Sequence, residues 1–206
     1  MTRNAASERR AVAIFAKVPE PGAVKTRLIP AIGAAAAADL QGRLIDAALA
    51  KANALGNAEV RLWLAGDSSR YAVPAGINVA LQEGPDLGAR MAHAFVVTLA
   101  RAEACVLIGT DCPALTTTHL GQAFDALARH DVVIIPAEDG GYVLIALRAP
   151  QPRLFEDIEW GGSTVMQATR AHIEAARLRA AYFDPLPDLD TPQDLARAQA
   201  AGWLGS

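Results

Sequence analysis

Three cations and a glycine fall within a dozen residues in Lys17-Val18-Pro19-Glu20-Pro21-Gly22-Ala23-Val24-Lys25-Thr26-Arg27-Leu28. Lys25 and Arg27 suit neutralisation of a di- or triphosphate, with Lys17 beside them and backbone N–H groups near Gly22 able to approach, because charge-assisted hydrogen bonds to phosphate oxygens are strong. The Gly-Lys-Ser/Thr ending of a Walker A loop is missing. A solvated basic surface loop has the same composition. Position favours the phosphate reading, since the loop directly follows an apolar run and ligands of open α/β sheets bind beyond the carboxyl ends of the strands.

The carboxylates fall in comparable places. Gly109-Thr110-Asp111-Cys112-Pro113 puts Asp111 at the end of the apolar run Cys105–Ile108. A hard oxygen there can hold a divalent cation together with phosphate oxygens and waters; capping of the turn at Pro113 is the ordinary alternative. Pro187-Asp188-Leu189-Asp190-Thr191-Pro192-Gln193-Asp194-Leu195 offers Asp190 as a second ligand. Capping of a helix that starts at Thr191-Pro192, with Asp194 complementing its dipole, explains the same residues. Glu138-Asp139-Gly140-Gly141-Tyr142 reads as a hairpin connection that needs glycine dihedrals, and its glycines also let a ligand approach Asp139. The stretch carrying Gln82, Gly84, Asp86 and Gly88 suits contacts to a base or ribose.

The elements that must position these loops alternate in type. Strands are predicted at Ala11–Phe15, Val60–Ala65, Ile77–Leu81, Cys105–Gly109, Val132–Pro136 and Tyr142–Leu147, each an apolar run bounded by chain-breaking residues and read as buried. Helices are predicted over Gly33–Leu55, Asp86–Ala102 with Asp86 as N-cap, Thr118–Arg129 and Ser163–Ala176 with Ser163 as cap, and a last one opens at Thr191-Pro192. An extended run covers Leu178–Phe183. This order predicts an α/β fold: a single-domain, Rossmann-like three-layer α/β/α sandwich whose sheet is mostly parallel and covered on both faces. The domain spans residues 1–206, with residues 1–9 as a disordered tail.

Composition narrows the function classes. With 206 residues, 52% of them hydrophobic and 20% charged, the chain can bury a substantial core. A net charge of -3 argues against nucleic-acid partners, which call for a strongly basic face. Two cysteines, Cys105 and Cys112, make neither a disulfide framework nor a metal cluster, and no stretch reads as a signal peptide or membrane span. A cytoplasmic protein is expected. His93, His119, His130 and His172 are dispersed and pair into no zinc spacing. Trp160, before Gly161-Gly162-Ser163, reads first as a buried anchor and second as an acceptor-binding lid.

Taken in order, Lys-x-Pro-x-Pro-Gly-x-x-Lys-Thr-Arg-Leu, Gly-Thr-Asp-Cys-Pro, Asp-Gly-Gly-Tyr and Asp-Leu-Asp-Thr-Pro-Gln-Asp-Leu resemble the DUF2064 glycosyltransferase-like family. The resemblance spans nearly the whole chain. It implies the nucleotide-diphospho-sugar transferase (GT-A) fold and kinship with phospholactate guanylyltransferase and the molybdenum-cofactor nucleotidyltransferases. By motif it implies that Lys17, Lys25 and Arg27 serve the nucleotide phosphates and that Asp111 and Asp190 hold Mg2+ or Mn2+. It also implies that Gly88, Arg90 and Met91 line the nucleotide pocket, and that Asp139 and Gly140 belong to an acceptor-side loop. Prolines stand where nucleotidyltransferases of this superfamily carry glycines, and Thr110-Asp111-Cys112 keeps one carboxylate of the sugar transferases' Asp-x-Asp.

The expectation is therefore a metal-dependent transferase using a nucleotide or nucleotide-sugar donor and a small-molecule acceptor. Glycosyl transfer stands first. Nucleotidyl transfer to a small phosphorylated acceptor, with release of pyrophosphate, is the alternative, and a non-catalytic nucleotide-binding protein is a third. Catalysis would rest on positioning and electrostatics, with Lys25, Arg27 and Asp111 carrying it.

Overall fold

The computed structural model describes residues 9–204. The chain runs β1 (Arg10–Lys17), α1 (Ile29–Ile32), α2 (Ala34–Asn53), β2 (Ala58–Ala65), β3 (Asn78–Leu81), α3 (Leu87–Leu99), β4 (Ala104–Ile108), α4 (Thr117–Leu127), β5 (Val132–Pro136), β6 (Tyr142–Leu147), α5 (Val165–Ala175), β7 (Ala180–Tyr182) and α6 (Pro192–Ala200). Of the tail expected over residues 1–9, all but Arg9 lies outside the described residues. The Arg9 carbonyl accepts the Glu103 N–H at 2.7 Å.

One seven-stranded sheet has the order β3-β2-β1-β4-β6-β5-β7. β6 runs antiparallel to β4 and β5, and every other neighbouring pair is parallel. Strand alternation sends Val12, Ile14, Val106 and Ile108 to one face, where α2 (Ile45, Leu49) and α4 (Leu120, Phe124) cover them. Ala13, Phe15, Cys105 and Leu107 point to the other face, against Met91 and Phe95 of α3 and Met166 and Ile173 of α5. With both faces covered, the inner strands have no polar side, which is why they read as unbroken apolar runs.

β3 departs from its expected burial. It is an edge strand with β2 as its neighbour, and Val79 and Leu81 are 42% and 51% exposed. The Asp86 carboxylate caps α3, accepting the Ala89 N–H at 2.8 Å. α5 starts one residue later than Ser163 would place it, with Thr164 at the cap position and no side-chain cap bond. Among the described residues, no helix is long and apolar enough to cross a membrane.

The strand order positions the site. From β1 the chain moves to β2 and β3 on one side, then returns to lay β4 on the other. The connections leave β1 and β4 in opposite directions, and such a reversal opens a crevice at the carboxyl ends of the two strands.

Candidate active site

A cleft of about 600 Å³ occupies that crevice. Its walls are the carboxyl ends of the parallel strands and the loops that follow them: Lys17 at the end of β1 and Ala23–Arg27 after it, Ala65 at the end of β2, Gln82 after β3 and Gly109–Asp111 after β4. Arg90 of α3, Trp160 and Asp190 complete it. Of the cations and carboxylates singled out in the sequence, Lys17, Lys25, Arg27, Arg90, Asp111 and Asp190 all line this one space.

Lys25 is the centre of the arrangement. Its backbone is left-handed, with φ 47° and ψ 40°, a conformation that costs a non-glycine residue energy and is found at functional sites. The Leu28 N–H bonds back to its carbonyl at 2.8 Å and closes a 3-10 turn. The side chain is 3% exposed, and Nζ sits 2.8 Å from Asp111 Oδ1 and 3.5 Å from Asp190 Oδ1. It also donates to the Leu189 carbonyl at 2.6 Å. Arg27, at the mouth, lies 3.4 Å from Asp190 Oδ2.

Leu189 and Gln41 complete this framework, and neither stood out in the sequence. The Leu189 N–H donates to the Asp111 carbonyl at 2.7 Å while its own carbonyl takes Lys25, and its side chain is buried with Leu28, Leu40, Leu44 and Ala198. A backbone group carries no residue-type signal, so this role was unreadable. Gln41 Nε2 donates to Thr110 Oγ1 at 3.1 Å, and Thr110 Oγ1 donates to Asp111 Oδ1 at 3.2 Å. A signal for Gln41 did exist: it is a polar residue four before Ile45 and seven before Ala48, on the core face of α2.

Asp190 is placed by capping chemistry and also faces the cleft. Thr191 and Asp194 form a capping box at the start of α6, and Asp194 Oδ2 accepts the N–H groups of Asp190 at 3.2 Å and Thr191 at 2.7 Å. The Asp111 and Asp190 side chains remain 50% and 38% exposed. Beside them, burial and the neighbouring Asp139, Asp190 and Asp194 carboxylates push the Asp188 carboxyl up to about 6. No group of three His, Cys, Asp or Glu side chains suited to a metal forms among the described residues. Two hard carboxylate oxygens beside a cleft lined by four cations nonetheless fit Mg2+ or Mn2+, which commonly take one or two protein carboxylates and draw their other ligands from phosphate and water.

The remaining candidates have other surroundings. Gln82 lines the cleft, and its Nε2 ties β1 to β2 through the carbonyls of Ala16 at 3.1 Å and Trp63 at 2.9 Å. Gly88 lies outside the lining. A Cβ there would fall 2.3 Å from the Phe155 carbonyl oxygen and 2.6 Å from Trp160 Nε1, so its bareness seats the indole on α3. Gly140 (φ 95°) likewise packs against Ser163, while Gly22 (φ 88°) faces open space. Asp139 lines an adjoining chamber, and its Oδ1 accepts the Gly141 N–H at 2.9 Å. Trp160 is half-buried, edge-on to Tyr142 with ring centroids 6.4 Å apart, and borders both spaces.

Residues 48–162 match a family model described as an uncharacterized protein conserved in bacteria, DUF2064. No curated protein matches the sequence. Among solved structures, a candidate nucleotide-diphospho-sugar transferase from Desulfovibrio desulfuricans G20 is similar with TM-score 0.86 and 31% identity, over 94% of this chain and 87% of that one. The 4-diphosphocytidyl-2C-methyl-D-erythritol synthase of Anaerococcus prevotii DSM 20548 has TM-score 0.60 at 10% identity, over 95% of this chain and 98% of that one. Rv0371c of Mycobacterium tuberculosis H37Rv, solved with manganese, has TM-score 0.55 at 18% identity, over 92% and 97%. The last two likenesses are of fold.

Proposed function

The chain belongs to the DUF2064 family, and from that premise we propose that it is a metal-dependent transferase moving a glycosyl group from a nucleotide-diphosphate sugar to a small acceptor. The observation that carries this reading is the Lys25 ammonium clasped by Asp111 and Asp190 inside a cleft whose other cations are Lys17, Arg27 and Arg90. Four cations against two carboxylates leave the lining with an excess of positive charge suited to a diphosphate. The relative from Desulfovibrio desulfuricans supports the donor class, and Rv0371c, which shares the fold, is itself described in complex with manganese.

Asp111 and Asp190 would hold Mg2+ or Mn2+, whose chemistry is to polarise the diphosphate and stabilise charge on it. Lys25 and Arg27 offset the negative charge that gathers on the departing nucleoside diphosphate as the bond from the anomeric carbon to its oxygen breaks. The acceptor oxygen makes the new bond to that carbon, and its proton passes to the departing diphosphate or to water. Fixed charges aimed where charge develops stabilise the transition state without reorganisation, so no covalent nucleophile is called for. Nucleotidyl transfer remains the second reading, favoured by Lys25 and Arg27 flanking Thr26 in one short turn and by the fold shared with the diphosphocytidyl synthase.

A thermal-shift panel of nucleoside triphosphates and nucleotide sugars, with and without Mn2+, tests the proposal, because a ligand that binds the folded state raises the midpoint. A nucleotide-sugar shift that requires Mn2+ and disappears in Asp111→Asn is expected, followed by release of nucleoside diphosphate on turnover. Pyrophosphate release from a triphosphate would establish the second reading instead. Tight binding that ignores metal and leads to no turnover would mark a nucleotide-binding protein without catalysis.

A further inference from the structure

Beyond the indole of Trp160 the cleft continues into a second chamber of about 190 Å³. The two spaces share Phe15, Leu87, Gly109, Trp160 and Gly161, and their chemistry changes across that boundary. The cations all lie on the cleft side. The chamber is walled by Met91, Leu107, Tyr142, Val143 and Val165, and its one charged lining residue among those described is Asp139. The Tyr142 hydroxyl is already engaged: it is buried, which pushes its pKa up, and it contacts Met91 Sδ at 3.9 Å and the Thr169 side chain.

Size and charge together define what fits. An apolar cavity of roughly 150 Å³ takes a benzene ring, so this chamber has room for one ring, or a branched aliphatic group of like bulk, and a small substituent. With Oδ1 held by the Gly141 N–H, the Asp139 carboxylate is fixed at the wall and can still accept a hydrogen bond. An acceptor-only anion there welcomes a hydroxyl or ammonium and repels a phosphate. Gly109, two residues before Asp111, lines both spaces, and a Cβ there would meet nothing within 4 Å, so the shared edge is open on the side of Gly109.

We propose that this chamber seats the acceptor, and that the acceptor is a compact, unphosphorylated molecule with an apolar body and one hydroxyl or amino group directed at Asp139. The assignment rests on the transferase reading for its role in a reaction; the ligand class rests on the chamber alone. It separates the two transfer reactions from the acceptor side, because a phosphorylated acceptor has no cation to meet it there.

Saturation-transfer NMR with phenol and phenyl phosphate as probes tests it. Two variants fill the chamber from different walls. Leu107→Phe enlarges a β4 residue and Met91→Phe an α3 residue, both with side chains packed on the sheet face that the chamber occupies. Phenol should bind the wild type and bind both variants about tenfold more weakly, or not at all. Any phenyl phosphate signal should be insensitive to both variants, because it arises from the cationic cleft. Absence of phenol binding, phenol binding unchanged in both folded variants, or phenyl phosphate losing its signal alongside phenol would each overturn the assignment. Wild-type unfolding midpoints identify which variants are folded. Nucleotide sugar with Mn2+ is scanned on the same samples: phenol behaving as expected without a nucleotide shift would overturn the transferase reading alone, and the converse would overturn the chamber alone.

Discussion

Lys25 holds two carboxylates apart from each other's charge. Replaced by methionine, it would leave Asp111 and Asp190 with unrelieved repulsion in a part-buried setting, and such a pair favours a divalent ion. Lys25→Met should therefore bind free Mn2+ about tenfold more tightly than the wild type, about 1.4 kcal/mol, as read by the loss of the free-ion EPR signal. Unchanged or weaker Mn2+ binding would show that the two carboxylates do not form a common site. The candidate residues themselves were legible: a lysine-arginine loop after β1 and carboxylates at Asp111 and Asp190 stood out by type and by place after apolar runs. Their convergence on one ammonium was not, because Lys25 meets Asp190 through the fold and not through spacing. The Leu189 carbonyl was invisible for a different reason, since any residue type there would present the same group.

At the scale of elements, most strands and helices lay where apolar periodicity and caps put them, and Asp86 and Thr191 mark true helix starts. β3 shows where local pattern stops informing. Val79, Ala80 and Leu81 look like an interior strand, yet strand order makes β3 an edge, and strand order is a property of the whole chain. The opposite edge is held by Asp131, whose carboxylate accepts from Arg179 Nε at 3.1 Å, Nη2 at 2.9 Å and backbone N at 2.9 Å, next to the β5–β7 pairing. These bonds from Arg179 lower the Asp131 carboxyl to about 2. An unfolded aspartate titrates near ~3.9. The folded value is the lower one, so the stabilisation is full above about pH 4 and fades as the pH falls towards 2. Asp131→Ala should cost about 0.5–1 kcal/mol near neutrality, discounted for exposure, and its deficit in melting temperature should vanish by about pH 2. A deficit that persists undiminished in acid would assign the loss to packing instead.

Across the whole molecule, two apolar layers close over one sheet so completely that both thiols are sealed within them. Burial pushes Cys105 up to about 12 and Cys112 up to about 11. Thiol chemistry should thus report opening of the fold: at about pH 8 a disulfide reagent should label the native protein at least about a hundredfold more slowly than the protein in concentrated guanidinium. Rapid labelling of one thiol in the native state would reveal a local opening at its layer. The indole of Trp160 is the other place where one part of the molecule answers to another, because a single side chain forms wall for both the cleft and the chamber. Ligands in the two spaces would rest against the same ring, which gives them a route to couple. If filling the cleft presses the ring and sharpens the chamber's grip by some factor, filling the chamber must sharpen the cleft's grip by that same factor, since a coupling free energy belongs to the pair.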